Sequence, residues 1–321
     1  MLVITTEWPT PQQPFRVPFL TRQIELLQNR GIELEIFHFE GKKNPINYLK
    51  AYFAFLKKIR KKKYDLVHAQ WGQSALPALF SDLPLIITFR GSDLQGITNS
   101  KGTYSVLGKI LYKISCFGAG KAHAVMLVSA SMRKLLPDIN DAKIKIVPSG
   151  VNLNLFSPLN SLDCRLKLGF DAQKKIILFG GDPERTDKRY YLANEALSYI
   201  DKRFDIELLT VKNIEQVNMP LYINAANLVL LTSKHEGSPN IIKEALACNK
   251  PVVSVNVGDV AERIRNVRGS WVVEDTPQSI AAAITRVLDS KDEYESRSSV
   301  LELDENLITD QIINIYKQLL K

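Results

Sequence analysis

Residues 231–262 read LTSKHEGSPNIIKEALACNKPVVSVNVGDVAE, and their pattern decides the fold. Leu228 to Leu231 is a short apolar run that reads as a buried strand. The chain then turns through Ser233, Lys234, His235, Glu236 and Gly237. Ser238 suits an N-cap, and Pro239 suits the first helical position, where a missing N–H costs nothing. The helix runs to about Cys248 and stops at Asn249, which tolerates a left-handed C-cap, with Pro251 just beyond. Pro251 to Val255 reads as the next buried strand.

Such a strand–loop–helix–strand unit is parallel and right-handed, and it aims a helix N-terminus at the carboxyl edge of its sheet. Free N–H groups of Gly237, Ser238 and Asn240 gather there beside the positive end of the helix dipole. That is an anion site, and in an open α/β sheet the expected anion is a diphosphate. Glu236 sits before the helix and Glu244 about two turns into it, on nearly the same face. An acid on each side of a diphosphate suits a sugar on one flank and a ribose on the other. The plainer alternative is an ordinary capped helix with a solvated Glu244.

The joint occurrence of Glu236, Gly237, Pro239, Glu244, Ala245, Ala247 and Pro251 resembles the donor-site signature of retaining GT-B glycosyltransferases of family 4. Within that family it is most similar to teichuronic-acid-type polysaccharide glycosyltransferases. Asn249 departs from the usual glycine, a mild change because both residues tolerate positive φ. The resemblance implies an α/β GT-B fold: two Rossmann-like β/α/β domains facing a central cleft. Residues 1–158 would be the acceptor-binding domain and 159–321 the donor domain, with the last helix crossing back.

The 321 residues suffice for two domains with separate cores, and 45% hydrophobic with 24% charged residues is ordinary globular composition. Cys116, Cys164 and Cys248 are odd in number, scattered and without metal-type spacing, as expected of reduced thiols in the cytoplasm. MLVITTEWP reads as a first strand rather than a signal peptide. No segment approaches the roughly 20 apolar residues of a membrane span. Residues 1–158 hold 21 Lys+Arg against 10 Asp+Glu, or +11; the remainder holds 21 against 24, or −3. A basic front half points to an anionic partner.

In the front half, strands are expected at Leu2–Thr5, Glu33–Phe39, Asp65–Ala69, Leu85–Thr88, Ala124–Val128 and Ile144–Val147. Helices are expected at Val17–Arg30, Thr103–Phe117 and from Ser129 through SMRKLL. Residues 46–63, INYLKAYFAFLKKIRKKK, form a basic amphipathic helix. Its aromatic side covers the sheet, and its basic end is either solvated or applied to an anionic membrane surface, where each basic residue contributes about 1 kcal/mol. HAQWG at 68–72 and FRGSDL at 89–94 end two parallel strands, where such sheets place ligands. On the acceptor side the candidates are Arg16, His68, Arg90 and Asp93; the plainer readings are a surface arginine for Arg16 and a structural histidine for His68. Arg90 stands where many relatives have histidine, so a histidine's acid–base role is lost there.

A linker is expected at Asn154–Lys174. The back half then opens with a strand at Lys175–Phe179 and the turn GGDPERTDKRY, whose Gly181 lets backbone approach a ligand while Arg185 and Lys188 supply positive charge. The resemblance assigns these two cations to the donor diphosphate and the edge at Lys212 to the nucleotide base. Glu236, Arg185 and Lys188 are thus the candidate catalytic residues. Gly181, Lys212, Gly237, Ser238, Pro239, Asn240 and Glu244 are the candidate donor-binding residues.

The sequence contains no D-x-D, so no metal or other cofactor is expected, and the nucleotide-sugar is substrate. In place of a metal, Arg185, Lys188 and the helix start near Pro239 would stabilise the leaving diphosphate. The implied reaction moves a sugar to a glycan or lipid-linked acceptor in cell-envelope polysaccharide synthesis. A GT-B epimerase and an inactive nucleotide-sugar-binding homologue are the alternatives. The absence of G-x-G-x-x-G after the first strand disfavours a dinucleotide oxidoreductase, and nucleic-acid binding rests on charge alone.

Overall fold

The computed structural model describes residues 1–41, 44–95, 106–137 and 139–321. The chain divides into two compact units, Met1–Gly150 with Asn306–Lys321, and Val151–Glu305.

The first unit is built on six parallel strands: β1 (Leu2–Thr5), β2 (Glu35–His38), β3 (Val67–Gln70), β4 (Leu85–Phe89), β5 (Ala124–Leu127) and β6 (Ile144–Ile146), in the order β2-β1-β3-β4-β5-β6. β1, β3, β4 and β5 are buried along their whole length, the mark of parallel strands covered on both faces. One face carries Leu2, Ile4, Val67, Ala69, Ile87 and Phe89 under Phe55 of the Pro45–Lys61 helix. The other carries Val3 under Leu20 and Ile24 of the Pro18–Asn29 helix, together with Trp71. The C-terminal segment belongs to this unit: Arg30 donates to Asp310 at 2.7 Å, and His68 bonds Tyr316 at 2.7 Å.

The second unit has five parallel strands: β7 (Lys175–Phe179), β8 (Ile206–Leu209), β9 (Leu228–Leu231), β10 (Val252–Val255) and β11 (Trp271–Val273), in the order β11-β10-β9-β7-β8. Both sheets therefore reverse their winding beside their first strand, between β1 and β3 in one unit and between β7 and β9 in the other. Loops diverge at such a switch point and leave a crevice at the carboxyl ends.

Three expectations need correction. Residues 154–174 are not a bare linker, because they contain a helix, Ser161–Leu168, capped by Asn160 and closed by Gly169 at φ 70°. Its Arg165 is buried and donates to Ala225 O, Ala172 O, Lys174 O and Asn227 Oδ1, fixing the segment to the second core. Residues 151–158, assigned to the front domain, also belong to the second unit, where Val151 N–H bonds Leu303 O and Arg297 bonds the carbonyls of Leu153 and Phe156. The segment after Ser129 is a 3₁₀ helix, Ala130–Leu135, and the Ser129 side chain does not cap it. The expected Thr103–Phe117 helix is seen at Val106–Lys121, its residues 103–105 lying outside the described residues.

Candidate functional site

At the switch point of the second unit, the loop after β7 meets the loop after β9. Gly181 lies beneath the Lys188 side chain, and a Cβ there would come within 3.0 Å of Lys188 Cγ and Cδ. The bare glycine thus lets the lysine stem lie flat. Its ammonium donates to Glu236 Oε1, with the two side chains only 13% and 15% exposed. The two loops are further tied by Thr232 Oγ1 donating to Lys188 O at 2.9 Å and by Lys234 N–H donating to Asp187 O at 2.8 Å.

Arg189 completes the clamp. It sits in the left-handed region at φ 53° and donates to Thr232 O at 2.6 Å and Asp275 Oδ2 at 2.8 Å. Arg185 does not join it. Its guanidinium folds back on Asp187 of its own turn, at 3.1 and 2.6 Å, and remains 56% exposed. Lys212 also lies at the periphery, paired with Glu184 at 2.5 Å. The expectation that Arg185 and Lys188 converge is therefore corrected: Lys188 reaches Glu236, while Arg185 is held by Asp187 of its own turn, and Lys212, expected at the base edge, pairs with Glu184.

The helix after β9 starts one residue later than expected. It spans Asn240–Ala247, with Pro239 at the N-cap position and no side-chain cap. Ser238 cannot serve as the cap because its hydroxyl donates to Asp259 Oδ2 at 2.8 Å, an acid also held by Arg263. Proline has no capping oxygen; Ile242 N–H bonds Pro239 O at 3.2 Å, and no side chain caps the N–H groups at the helix start or the positive end of its dipole. Around this helix start, the buried Asn240 Oδ1, His235 Nε2 and Ser233 Oγ find no partner among the described residues. Such orphans are uncommon in cores, and polar atoms left open at a helix start suit a polar ligand. Gly258, at φ 56°, covers the turn from the other side. A Cβ there would strike Gly237 O at 2.7 Å.

Glu244 lies further along the helix, half-buried, with Gln216 Nε2 at 3.5 Å. Burial pushes its carboxyl up to about 7, against smaller opposing effects of Lys243 and Gln216. At neutral pH it is poised between acceptor and donor, and hydroxyls brought by a ligand favour the carboxylate. Beyond β10 and β11, Arg189, Lys234, Asn256 and Asp275 help to line a cavity of about 430 Å³.

In the first unit the HAQWG and FRGSDL segments come together, and His68 takes the structural role rather than the acceptor-side one. His68 is fully buried, its Nδ1 bonded to Tyr316 Oη and its Nε2 to Thr88 Oγ1, both at 2.7 Å. Burial and the nearby Arg90 hold it neutral, with a pKa of about 3. It cannot reach an acceptor; it is a core histidine. Asp93 is also buried, and it accepts the N–H groups of Gly72, Arg90 and Gly91 at 3.0–3.3 Å, pinning the loops after β3 and β4. Arg16 pairs with Glu7 and donates to Gln13 within the loop after β1. Arg90 and Arg16 are the candidates on this side that remain partly exposed, and Arg90 lies at the end of β4.

The comparisons bear on the family and the fold. The profile described as Glycosyltransferase Family 4 matches residues 2–155, and that described as Glycosyl transferases group 1 matches residues 170–290. The chain belongs to the GT-B glycosyltransferases. It is 24% identical over 244 residues to the putative teichuronic acid biosynthesis glycosyltransferase TuaC of Bacillus subtilis; that alignment takes in 69% of this chain and 61% of the relative's length. A D-inositol 3-phosphate glycosyltransferase of Thermobispora bispora is 24% identical over 192 residues, 49% of this chain and 45% of its own. Among solved structures, sucrose-phosphate synthase from Thermosynechococcus elongatus superposes with a TM-score of 0.83 at 17% identity, covering 99% of this chain and 98% of that one. Anabaena HepE in complex with UDP and glucose gives 0.76 at 14%, covering 98% and 99%. These likenesses show the fold.

Within this GT-B chain, several site residues escaped sequence reasoning. Arg189 follows Lys188 directly, yet only its left-handed backbone turns it onto the β9 loop. Gln216 meets Glu244 from 28 positions away, and Asp259 meets Ser238 from 21. His235 carried one available signal, an imidazole directly before Glu236.

Proposed function

We propose that this chain transfers a sugar, with retention of anomeric configuration, from a nucleotide-sugar to a glycan or lipid-linked acceptor in cell-envelope polysaccharide synthesis. The observation that carries the reading is the Lys188–Glu236 pair beside the uncapped Asn240–Ala247 helix. Cation, helix dipole and carboxylate converge where one end of a sugar diphosphate is anionic and the other is hydroxylated.

In this reading the donor's diphosphate displaces Glu236 from Lys188. Lys188 and the N–H groups at the helix start then meet the negative charge that grows on the leaving phosphate, which is preorganised electrostatic stabilisation. Glu236, released, accepts from sugar hydroxyls, and Glu244 accepts from the ribose. Arg189 keeps the two loops together, and Arg185 adds a peripheral charge. This chain's own cations would perform the task without a metal ion. A thermal-shift screen of the whole chain against UDP-, GDP- and ADP-sugars tests it. One of them should raise the melting temperature by several degrees, and no shift with any of them contradicts it.

The acceptor side supports a site on an anionic membrane surface. Ile46, Leu49 and Phe53 are 57–60% exposed on the Pro45–Lys61 helix, and Lys50, Lys57, Arg60 and Lys61 are exposed beside them. At 100° per residue these seven fall within about 120° of arc, opposite the buried Ala51 and Phe55. Lipid-facing apolar groups bordered by cations suit an interfacial helix. Among the described residues, no helix is long and apolar enough to cross a membrane.

A further inference from the structure

We infer that Arg90 is a receptor for an anionic group, a phosphate or carboxylate, carried by the acceptor. This deepens the transferase reading and rests on it.

Arg90 is a half-buried cation whose hydrogen-bond partners are all neutral. Its Nη1 donates to Ser149 Oγ at 3.0 Å, and its Nη2 to Gln70 Oε1 at 2.7 Å and Gln23 Oε1 at 3.2 Å. Its Nε–H is buried with no acceptor. The guanidinium stands 4.7 Å from the Phe19 ring centroid and 5.7 Å from that of Trp71. Asp93 is close in the chain, yet its oxygens accept backbone N–H groups, and no carboxylate among the described residues bonds the guanidinium. Burial draws its pKa down to about 10, so the charge persists at neutral pH while lacking a direct counterion. Asp93 and the two rings offset this charge only from a distance, and a buried charge without a directly bonded counterion favours an anion that can reach it.

The surrounding backbone supports the same inference. Trp71 has φ 73° and ψ 147°, a region nearly restricted to glycine, and Val17, just before Phe19, is left-handed at φ 48°. Both strained residues lie in the cluster that positions the two rings. They flank the β1/β3 switch point, where this sheet is built to hold a ligand. A purely structural arginine needs neither a bare Nε–H nor strained aromatic flanks.

The test follows the arginine Nε–H signals of the whole chain by ¹H–¹⁵N NMR, with Arg90 assigned through Arg90→Lys. Glycerol phosphate is titrated in one arm, glucuronate in a second, and neutral glycerol and glucose in a third. One anion should move the Arg90 signal at millimolar concentration, while the neutral sugars leave it in place. Binding of that anion should fall at least tenfold in Arg90→Gln and be partly kept in Arg90→Lys. Binding of whichever UDP-, GDP- or ADP-sugar wild type takes, read by thermal shift, should survive in both variants. An Arg90 signal unmoved by either anion, or equal anion affinity in Arg90→Gln, overturns the inference. Failure of every UDP-, GDP- and ADP-sugar to bind wild type would instead overturn the transferase reading, since the NMR titration does not depend on it.

Discussion

Lys188 donates to Glu236 across the loops that diverge at the β7/β9 switch point, 48 positions apart in sequence and both largely buried. In the free protein each group occupies the place of the other's proposed ligand. Lys188→Ala should therefore lower nucleotide-sugar affinity by about 10- to 100-fold, the range of one to two charge-assisted hydrogen bonds. It should also destabilise the fold by about 1–3 kcal/mol, because the largely buried Glu236 carboxylate loses its Lys188 donor. The double variant Lys188→Met/Glu236→Gln should be more stable than Lys188→Ala, since it removes both charges of the pair together. Calorimetric titration and urea melts measure both effects. Unchanged donor affinity in Lys188→Ala would remove the lysine from the donor site.

Glu244 gives a pH signature. Its pKa is raised by burial from 4.5 to about 7, so it favours folding while protonated. That contribution is complete below pH 4.5 and is lost as pH rises to 7, up to about 3 kcal/mol in all. Glu244→Gln should flatten this part of the stability profile and strengthen the unliganded protein at pH 8. Donor binding needs the carboxylate, so wild-type affinity should rise with pH to a plateau above 7, with proton release on binding near pH 6.5. Calorimetry in buffers of different ionisation enthalpy measures that release, and its absence would argue against a ribose contact.

His68 behaves oppositely. Its pKa is lowered by burial to about 3, so its contribution is present above 6.5 and is lost as pH falls through 3. His68→Ala should cost about 2–4 kcal/mol through the cavity and the bonds lost to Tyr316 and Thr88. Turnover per folded molecule should stay within about threefold of wild type, roughly 0.7 kcal/mol. A collapse of turnover with the fold intact would return His68 to the acceptor site.

The donor side was legible where chemistry and fold share one short segment. The strand, loop, helix and strand of residues 228–255 follow from apolar runs, turn residues and Pro239, and their spacing puts Glu236 before the helix and Glu244 within it. Sequence failed where side chains choose among local partners. Arg185 has Asp187 two residues away, and a bidentate contact at that range wins over a longer reach. Ser238 could have capped its helix, but Asp259 offers a carboxylate acceptor, and proline takes the cap position instead. His68 looked like an edge residue, yet Tyr316, 248 positions away, closes over it. No local pattern encodes that distance.

The exposed stripe of the Pro45–Lys61 helix should bind vesicles. Whole protein should co-sediment with vesicles of one-third phosphatidylglycerol and not with pure phosphatidylcholine. Phe53→Asp, or Lys57, Arg60 and Lys61 changed together to Glu, should reduce the bound fraction at least fivefold, about 1 kcal/mol. Far-UV circular dichroism should be unchanged, because these residues face solvent. Equal binding of wild type and variants would assign the stripe to ordinary solvated surface.

The most direct test is a calorimetric titration of UDP, GDP and ADP into wild type and Lys188→Ala with EDTA throughout. If Lys188 and the open helix start hold the diphosphate, one nucleotide binds wild type in EDTA and binds Lys188→Ala at least tenfold more weakly. Binding that appears only when a divalent ion is restored, or that is the same in both proteins, contradicts the account.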